Sequence, residues 1–359
     1  MNNSGTNTTR VLKESKNKIR VDFERTSRWT RIRVKYFNGS YVANLLFRLF
    51  RFILLVGVAF VILFPFYSKI AGSFMSKEDF VDVTVKLVPK YWTLEQYKYI
   101  ILENGFFKAI GNTFLLSTIC AALQTITCCI IAYGFAKFKF KFNKLLFLLV
   151  IFTMVVPHIV LRYAMFTEFR SFHPLFVDSL IEGFKNISGE GGFIAGFNNA
   201  KGINLLNSYW PLAVLSITGL AYKNGLYIFM LRQFFKGVPD ELEESAYIDG
   251  SGVFRTFVTI IIPLSVPMML TVFIFAFSWQ WTDNFYTNLF FTDNGPKLIP
   301  GIVKVPKSLS VANNYPAKAM YESAVKNTCS LMIIFPLIVI YLFFQKSLVQ
   351  GIERSGITG

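Results

Sequence analysis

The sequence predicts an all-α, polytopic membrane protein, and three observations point that way. Of its 359 residues, 53% are hydrophobic and 16% charged, whereas about 25% are charged in an average soluble domain. Forty are Phe and the mean hydropathy is +0.46. The run Ala109–Ala136 is uncharged and longer than the roughly 20 residues needed to cross a bilayer. A large soluble helical protein with a Phe-rich core is the competing class. That run disfavours it, because ordinary core helices are shorter.

Charge placement sets the expected orientation. Residues 1–51 carry twelve Lys/Arg and three acids, +9 of a net +16. A basic segment ahead of the first apolar run reads as cytoplasmic and suited to anionic headgroups. It is too long and too charged for a cleavable signal peptide. The same positional logic favours a membrane lipid partner over nucleic acid, which is not expected as a partner. The four cysteines, Cys120, Cys128, Cys129 and Cys329, all lie in apolar runs without metal spacing, so they read as packing residues.

Residues 1–47 read as a basic cytoplasmic arm. Phe52–Ser68 is the first expected span, with Arg48 and Arg51 able to snorkel at its start. Residues 69–108 hold six Lys and five acids, which places them outside by contrast with the arm. Ala109–Ala136 is the second span, and the alternating Lys and Phe of residues 137–144 fit a short cytoplasmic turn. Leu145–Leu161 is the third, with Pro157 near its end, followed by a long external segment containing an expected short helix at Phe176–Lys185. Tyr209–Leu231 is the fourth, interrupted by Lys223, Asn224 and Gly225. A lysine there is costly and should face protein or water: either it lines a pore or subunit contact, or a tilted helix lets it reach an interface. Ile260–Trp281 and Asn327–Phe344 are the fifth and sixth, ahead of a cytoplasmic tail, Gln345–Gly359. Six transmembrane helices put both termini in the cytoplasm.

Residues 239–267 interrupt the apolar pattern. Pro239 stops the preceding helix, Asp240 can cap a new one, and Glu243 stands where a capping box needs it. Glu241, Glu243 and Glu244 suit the positive end of the helix dipole. Asp249-Gly250 marks a bend. Val253–Ile262 begins a second helix with Phe254, Phe257 and Ile261 on one face, and Pro263 ends it. The stretch therefore predicts a helix–turn–helix elbow on the inner surface. A solvated linker whose acids only cap a helix would give the same local pattern.

Glu244-Ser-Ala-Tyr-Ile-Asp-Gly250, then Phe257, Ile260 and Pro263-Leu264, resembles the EAA motif in permease subunits of binding-protein-dependent ABC importers. Ser245 and Ser251 stand where alanines are usual, and both are small. Gly202–Pro211, Leu231–Phe235 and Phe344–Gly351 are similar to segments of the shorter permease subunit of maltose-type systems. The resemblance covers roughly residues 45–359; the basic arm and about twenty-five extra residues near 177–201 depart from it. It implies the MetI-like type I ABC importer fold. Residues 48–108 would hold the first helix and an external segment, 109–344 the permease domain with its coupling loop at 239–267, and 345–359 the tail.

The resemblance further implies a subunit of the bacterial cytoplasmic membrane that forms half of a path for a carbohydrate, of oligosaccharide size. Its implied partners are a second permease subunit, a cytoplasmic ATPase dimer that uses ATP and Mg, and an extracellular solute-binding protein. ATPase coupling falls to Glu244, Ala246, Asp249, Gly250, Phe257 and Pro263. Trp279, Gln280, Trp281, Asp283 and Asn284 have the aromatic and polar character of a sugar path, and equally that of an interfacial belt. The chain has no Walker A pattern, and His158 and His173 lack a supporting constellation. No catalytic residue, metal or cofactor is therefore expected on it. A secondary transporter or channel subunit, or an ABC importer for a non-sugar solute, are the alternatives.

Overall fold

The computed structural model describes residues 39–172, 204–291 and 295–356. The arm up to residue 38, the 177–201 insertion, the Phe176–Lys185 helix, His173 and the last three tail residues lie outside the described residues. The chain divides into two units, Met1–Ser68 and Lys69–Gly359. Among the described residues the architecture is helical, with a single isolated bridge between Met75 and Trp92.

The first unit contains most of α1 (Gly39–Ser73), a helix longer than the apolar run that announced it. Its apolar side chains, including Phe52, Phe60, Val61 and Phe66, are exposed. Such a surface has nothing to gain from water and suits a lipid solvent.

The second unit is built around α3 (Phe106–Lys137), which follows the short α2 (Glu95–Glu103). Its inward face carries small or polar residues, among them Ala109, Ser117, Ala121, Cys128 and Ala132. Where lipid tails are as apolar as leucine, close packing of small side chains is what holds helices together. The opposite face exposes Phe107, Phe114, Leu115, Ile119, Ile126 and Ile130. All four cysteines are buried and free.

The third expected span is not straight. α4 (Asn143–Val155) stops before Pro157, and a 3-10 turn at His158–Leu161 leads into α5 (Arg162–Arg170). The two halves meet at 91°. Pro157 supplies no backbone N–H and biases Val156 towards an extended conformation, which ends the helix; Val156 has ψ of 119°. The fourth is likewise broken, into α6 (Trp210–Ile217) and α7 (Asn224–Lys236). Gly219 turns the chain with φ of +77°, a conformation that costs side-chain-bearing residues about 1–2 kcal/mol. Gly225 then lets α7 close on α4: a Cβ there would lie 2.6 Å from Thr153 Oγ1.

α8 (Glu241–Ile248) is followed by α9 (Val253–Thr256), a π turn at Phe257–Ile261 and α10 (Ile262–Trp281). The last three form one continuous run, Val253–Trp281. Pro263 therefore does not end the elbow's second helix. The π turn just before it is a single-turn bulge within a continuing helix, and the second helix of the elbow runs on into the fifth span. α11 (Phe285–Phe290) and α12 (Lys318–Gly356) complete the fold. α12 is much longer than the apolar stretch Asn327–Phe344. Among the described residues, four helices are long and apolar enough to cross a membrane, or five if the bent pair α4–α5 counts as one.

α3, α7 and α10 share the main core, which includes Tyr227, Leu231, Phe235, Met268 and Trp281. Buried amides tie the other segments in. Gln96 Nε2 donates to the carbonyls of Gly72 and Met75 and its Oε1 accepts from Thr328. Asn104 Nδ2 donates to Ile302 and Lys304.

Candidate functional site

Two places in the second unit hold the functional candidates: the elbow, and a cavity level with the middle of α3. Gln124 in the cavity and Lys137 at the elbow share α3. Their separation in sequence corresponds to about 20 Å along a helix.

The elbow begins where α7 runs out at Lys236. Asp240 does not cap α8 with its side chain, so the expected capping box is absent. Its carboxylate is drawn to Lys137 instead, with Nζ 2.5 Å from Oδ1. The same ammonium donates to the Val238 carbonyl at 2.7 Å and lies 3.9 Å from Glu243 Oε1. Lys137 and Glu243 side chains are 7% and 9% exposed, that of Asp240 77%. The Lys137 ammonium, hydrogen-bonded to Asp240, holds that carboxyl below its ordinary range. Burial raises Glu243 above its ordinary range, and nearby Lys137 only partly offsets this. Lys137 sat in the Lys/Phe alternation that positive-inside bias explains by itself, so composition gave no reason to single it out.

At the other end of α8 the expected bend is present. Gly250 has φ of +83°. Its N–H donates to Tyr247, and that of Ser251 to Ala246. This pair of bonds is a Schellman motif, with glycine in the left-handed position. No atom lies within 4 Å of a Cβ built on Gly250, so the requirement for glycine is conformational.

Ala246 is buried at 7%, so its small side chain serves packing within this chain. Phe257 is buried too, its ring 4.5 Å from that of Tyr133 on α3. Of the three side chains expected on one face, Phe257 and Ile261 are buried while Phe254 is 79% exposed, and Ile248 is 86% exposed. Glu244 and Asp249 are exposed as well. The elbow thus grips α3 through Lys137 and Tyr133 while presenting Glu244, Ile248 and Phe254 outward.

The cavity, of about 210 Å³, gathers residues from α3, α6, α7 and α10. Trp279, Gln280, Asp283 and Asn284 line it. Trp281 is turned into the core, 1% exposed, and its Nε1 donates to the Ile333 carbonyl. Asp283 fixes the first turn of α11: Oδ1 accepts from Tyr286 N–H, and Oδ2 from the Thr287 N–H and hydroxyl. Asn284 Oδ1 accepts from Asn288.

Lys223, at the break between α6 and α7, enters the same cavity. Its ammonium lies 4.2 Å from the Tyr222 ring centre and 4.6 Å from that of Trp279. Each such contact contributes about 0.5–2 kcal/mol, against about 2.5–3.5 kcal/mol for a lysine at mid-bilayer. The rings therefore make the lysine tolerable without neutralising it. Sequence reading noticed Lys223 but missed Tyr222, because an isolated tyrosine near a helix break carries no pattern.

Residues 124–354 match the family described as the binding-protein-dependent transport system inner membrane component. The chain belongs to this family.

This inner membrane component is similar to the polygalacturonan/rhamnogalacturonan transport system permease protein YtcP of Bacillus subtilis. The two are 24% identical over 88% of this chain and 99% of the relative. It is 25% identical to the galactooligosaccharides transport system permease protein GanQ of the same organism, over 87% of this chain and 95% of that one. Its fold matches a chain in the crystal structure of a bacterial ABC transporter involved in the import of the acidic polysaccharide alginate. The TM-score is 0.60 at 17% identity, covering 85% of this chain and 97% of the other. The inner membrane component is thus a multi-pass protein of the bacterial cytoplasmic membrane with the MetI-like type I ABC importer fold.

Proposed function

We propose that the chain is the shorter of two permease subunits in an ABC importer for an oligosaccharide. It forms half of the path, a solute-binding protein delivers the sugar from outside, and a separate cytoplasmic ATPase dimer drives the cycle. Both termini and the elbow face the cytoplasm. YtcP and GanQ, by their names, transport glycans, which supports the carbohydrate assignment. The aromatic and amide lining of the cavity at Trp279, Gln280 and Asn284 suits a sugar.

The elbow carries the coupling part of this reading. An acid, Glu244, and two large apolar side chains, Ile248 and Phe254, stand exposed on a short helix pair. Exposed apolar groups at a tight turn are costly in water and suit a protein cleft. Lys137 and Tyr133 fasten the inner side of the same elbow to α3, so displacement of α8 by the ATPase would move α3 as a rigid body. ATP and Mg chemistry belongs to the partner, and no reaction is assigned to this chain.

The test replaces Glu244 by Ala and, separately, Gly250 by Val in the complete importer. Uptake and ATPase co-purification are then measured. Loss of uptake with weakened ATPase retention is expected for both. Normal assembly and normal uptake in both variants would remove the coupling role.

A further inference from the structure

The Lys223 ammonium is the cavity's cation, and Asp283 is the acid among its lining residues. The two are not paired: no carboxylate lies within ion-pair distance of Lys223 among the described residues. Asp283 already accepts three hydrogen bonds from Tyr286 and Thr287. The lining also holds donors without acceptors. Gln280 Nε2 and the Tyr227 hydroxyl are buried and make no hydrogen bond. Tyr222 and Trp279, against which the ammonium rests, remain 42% and 49% exposed. A cation, orphaned donors and open aromatic faces together call for a ligand with a negative charge, several oxygens and an apolar ring face.

We propose that this cavity is a binding site for an acidic sugar, in which Lys223 Nζ pairs with a uronate carboxylate. Gln280 donates to an oxygen of the same residue and Trp279 flanks its ring. Roughly 300–1,000 Å³ is usual for a drug-sized ligand, so a cavity of about 210 Å³ takes one residue of a longer chain. This rests on the carbohydrate reading above and narrows it: among glycans, the carboxylated ones are selected.

The experiment uses the complete importer in cells and follows uptake of radiolabelled trimers of galacturonate, glucuronate and mannuronate. Their methyl esters and neutral galactotriose serve as controls. Wild-type importer is expected to take up at least one acid in preference to its ester. Lys223→Gln should lower uptake of that acid about tenfold, the loss expected for one hydrogen bond to a charged group, and lower ester uptake far less, so that the preference for the acid narrows. Lys223→Arg should keep the preference. A packing role alone would depress acid and ester alike and overturns the proposal. Uptake of the neutral trimer but none of the acids overturns it while leaving the carbohydrate reading intact. Uptake of no sugar at all overturns both.

Discussion

Two lysines, one at the elbow and one in the cavity, have opposite surroundings. Lys137, at the end of α3, is buried and faces Asp240 and Glu243. Lys223, at the break between α6 and α7, rests on two aromatic rings, with no carboxylate in reach among the described residues. A charge that is already answered within the chain can transmit force, because moving one partner drags the other. A charge left unanswered is available to a ligand. Under the proposed function, the first suits a mechanical site and the second a recognition site.

The largest expected effect comes from breaking the answered charge. Lys137→Met would leave Glu243 buried without its cation, and removing one partner of a buried pair costs about 3–5 kcal/mol. Thermal melting of the purified complex should fall, and uptake with it. Adding Glu243→Gln should recover much of the loss, because the stranded charge is gone. A double variant no better than the single one would mean that the ion pair does not link α3 to the elbow.

Next is the support for the unanswered charge. Gly225→Ala places a methyl group against Thr153 and Met154 on α4. Overpacking of this kind costs about 1–3 kcal/mol and should displace Lys223, two residues earlier. Lower melting together with altered substrate preference is the expected pair of readings; unchanged melting would show that α7 and α4 have slack.

Trp279→Ala removes one of the two rings beneath the ammonium, worth about 0.5–2 kcal/mol. Substrate affinity should weaken while ATPase retention stays normal, since the elbow is untouched. Loss of the ATPase in this variant would blur the division between the two sites.

The smallest effect is pH-dependent. Lys137 holds the Asp240 carboxyl below its ordinary range, so the stability it contributes is complete above that range and disappears as pH falls through the lowered value. Glu243 is raised by burial, so its charged form costs the fold at neutral pH, and that cost is relieved as pH falls through the raised value. Melting followed from about pH 6 to 3 should therefore rise slightly and then drop. Asp240→Asn should remove the drop and keep the rise. An unaltered drop would place the titrating group elsewhere.

The long apolar helices were legible because lipid solvation demands them of composition alone: α1, α3, α10 and α12 all follow from uncharged runs. The bend at Asp249-Gly250 was legible too, since a left-handed residue narrows the choice to glycine. Legibility failed where a residue had several local options and tertiary contact chose between them. Asp240 could cap α8, yet Lys137 from a distant helix offered its carboxylate a full charge. Pro263 could stop a helix, yet a π turn carried the chain through it. Trp281 could line a path, yet the Ile333 carbonyl drew its N–H into the core.

By itself, then, the sequence determined the solvent this protein lives in, the position of its elbow and its likeness to permease subunits. These depend on local composition and on residues close together along the chain. Which lysine is paired and which is free was decided only by the tertiary structure. A charge is answered by whatever packing brings within a few ångströms, and Lys137 meets partners about a hundred residues away.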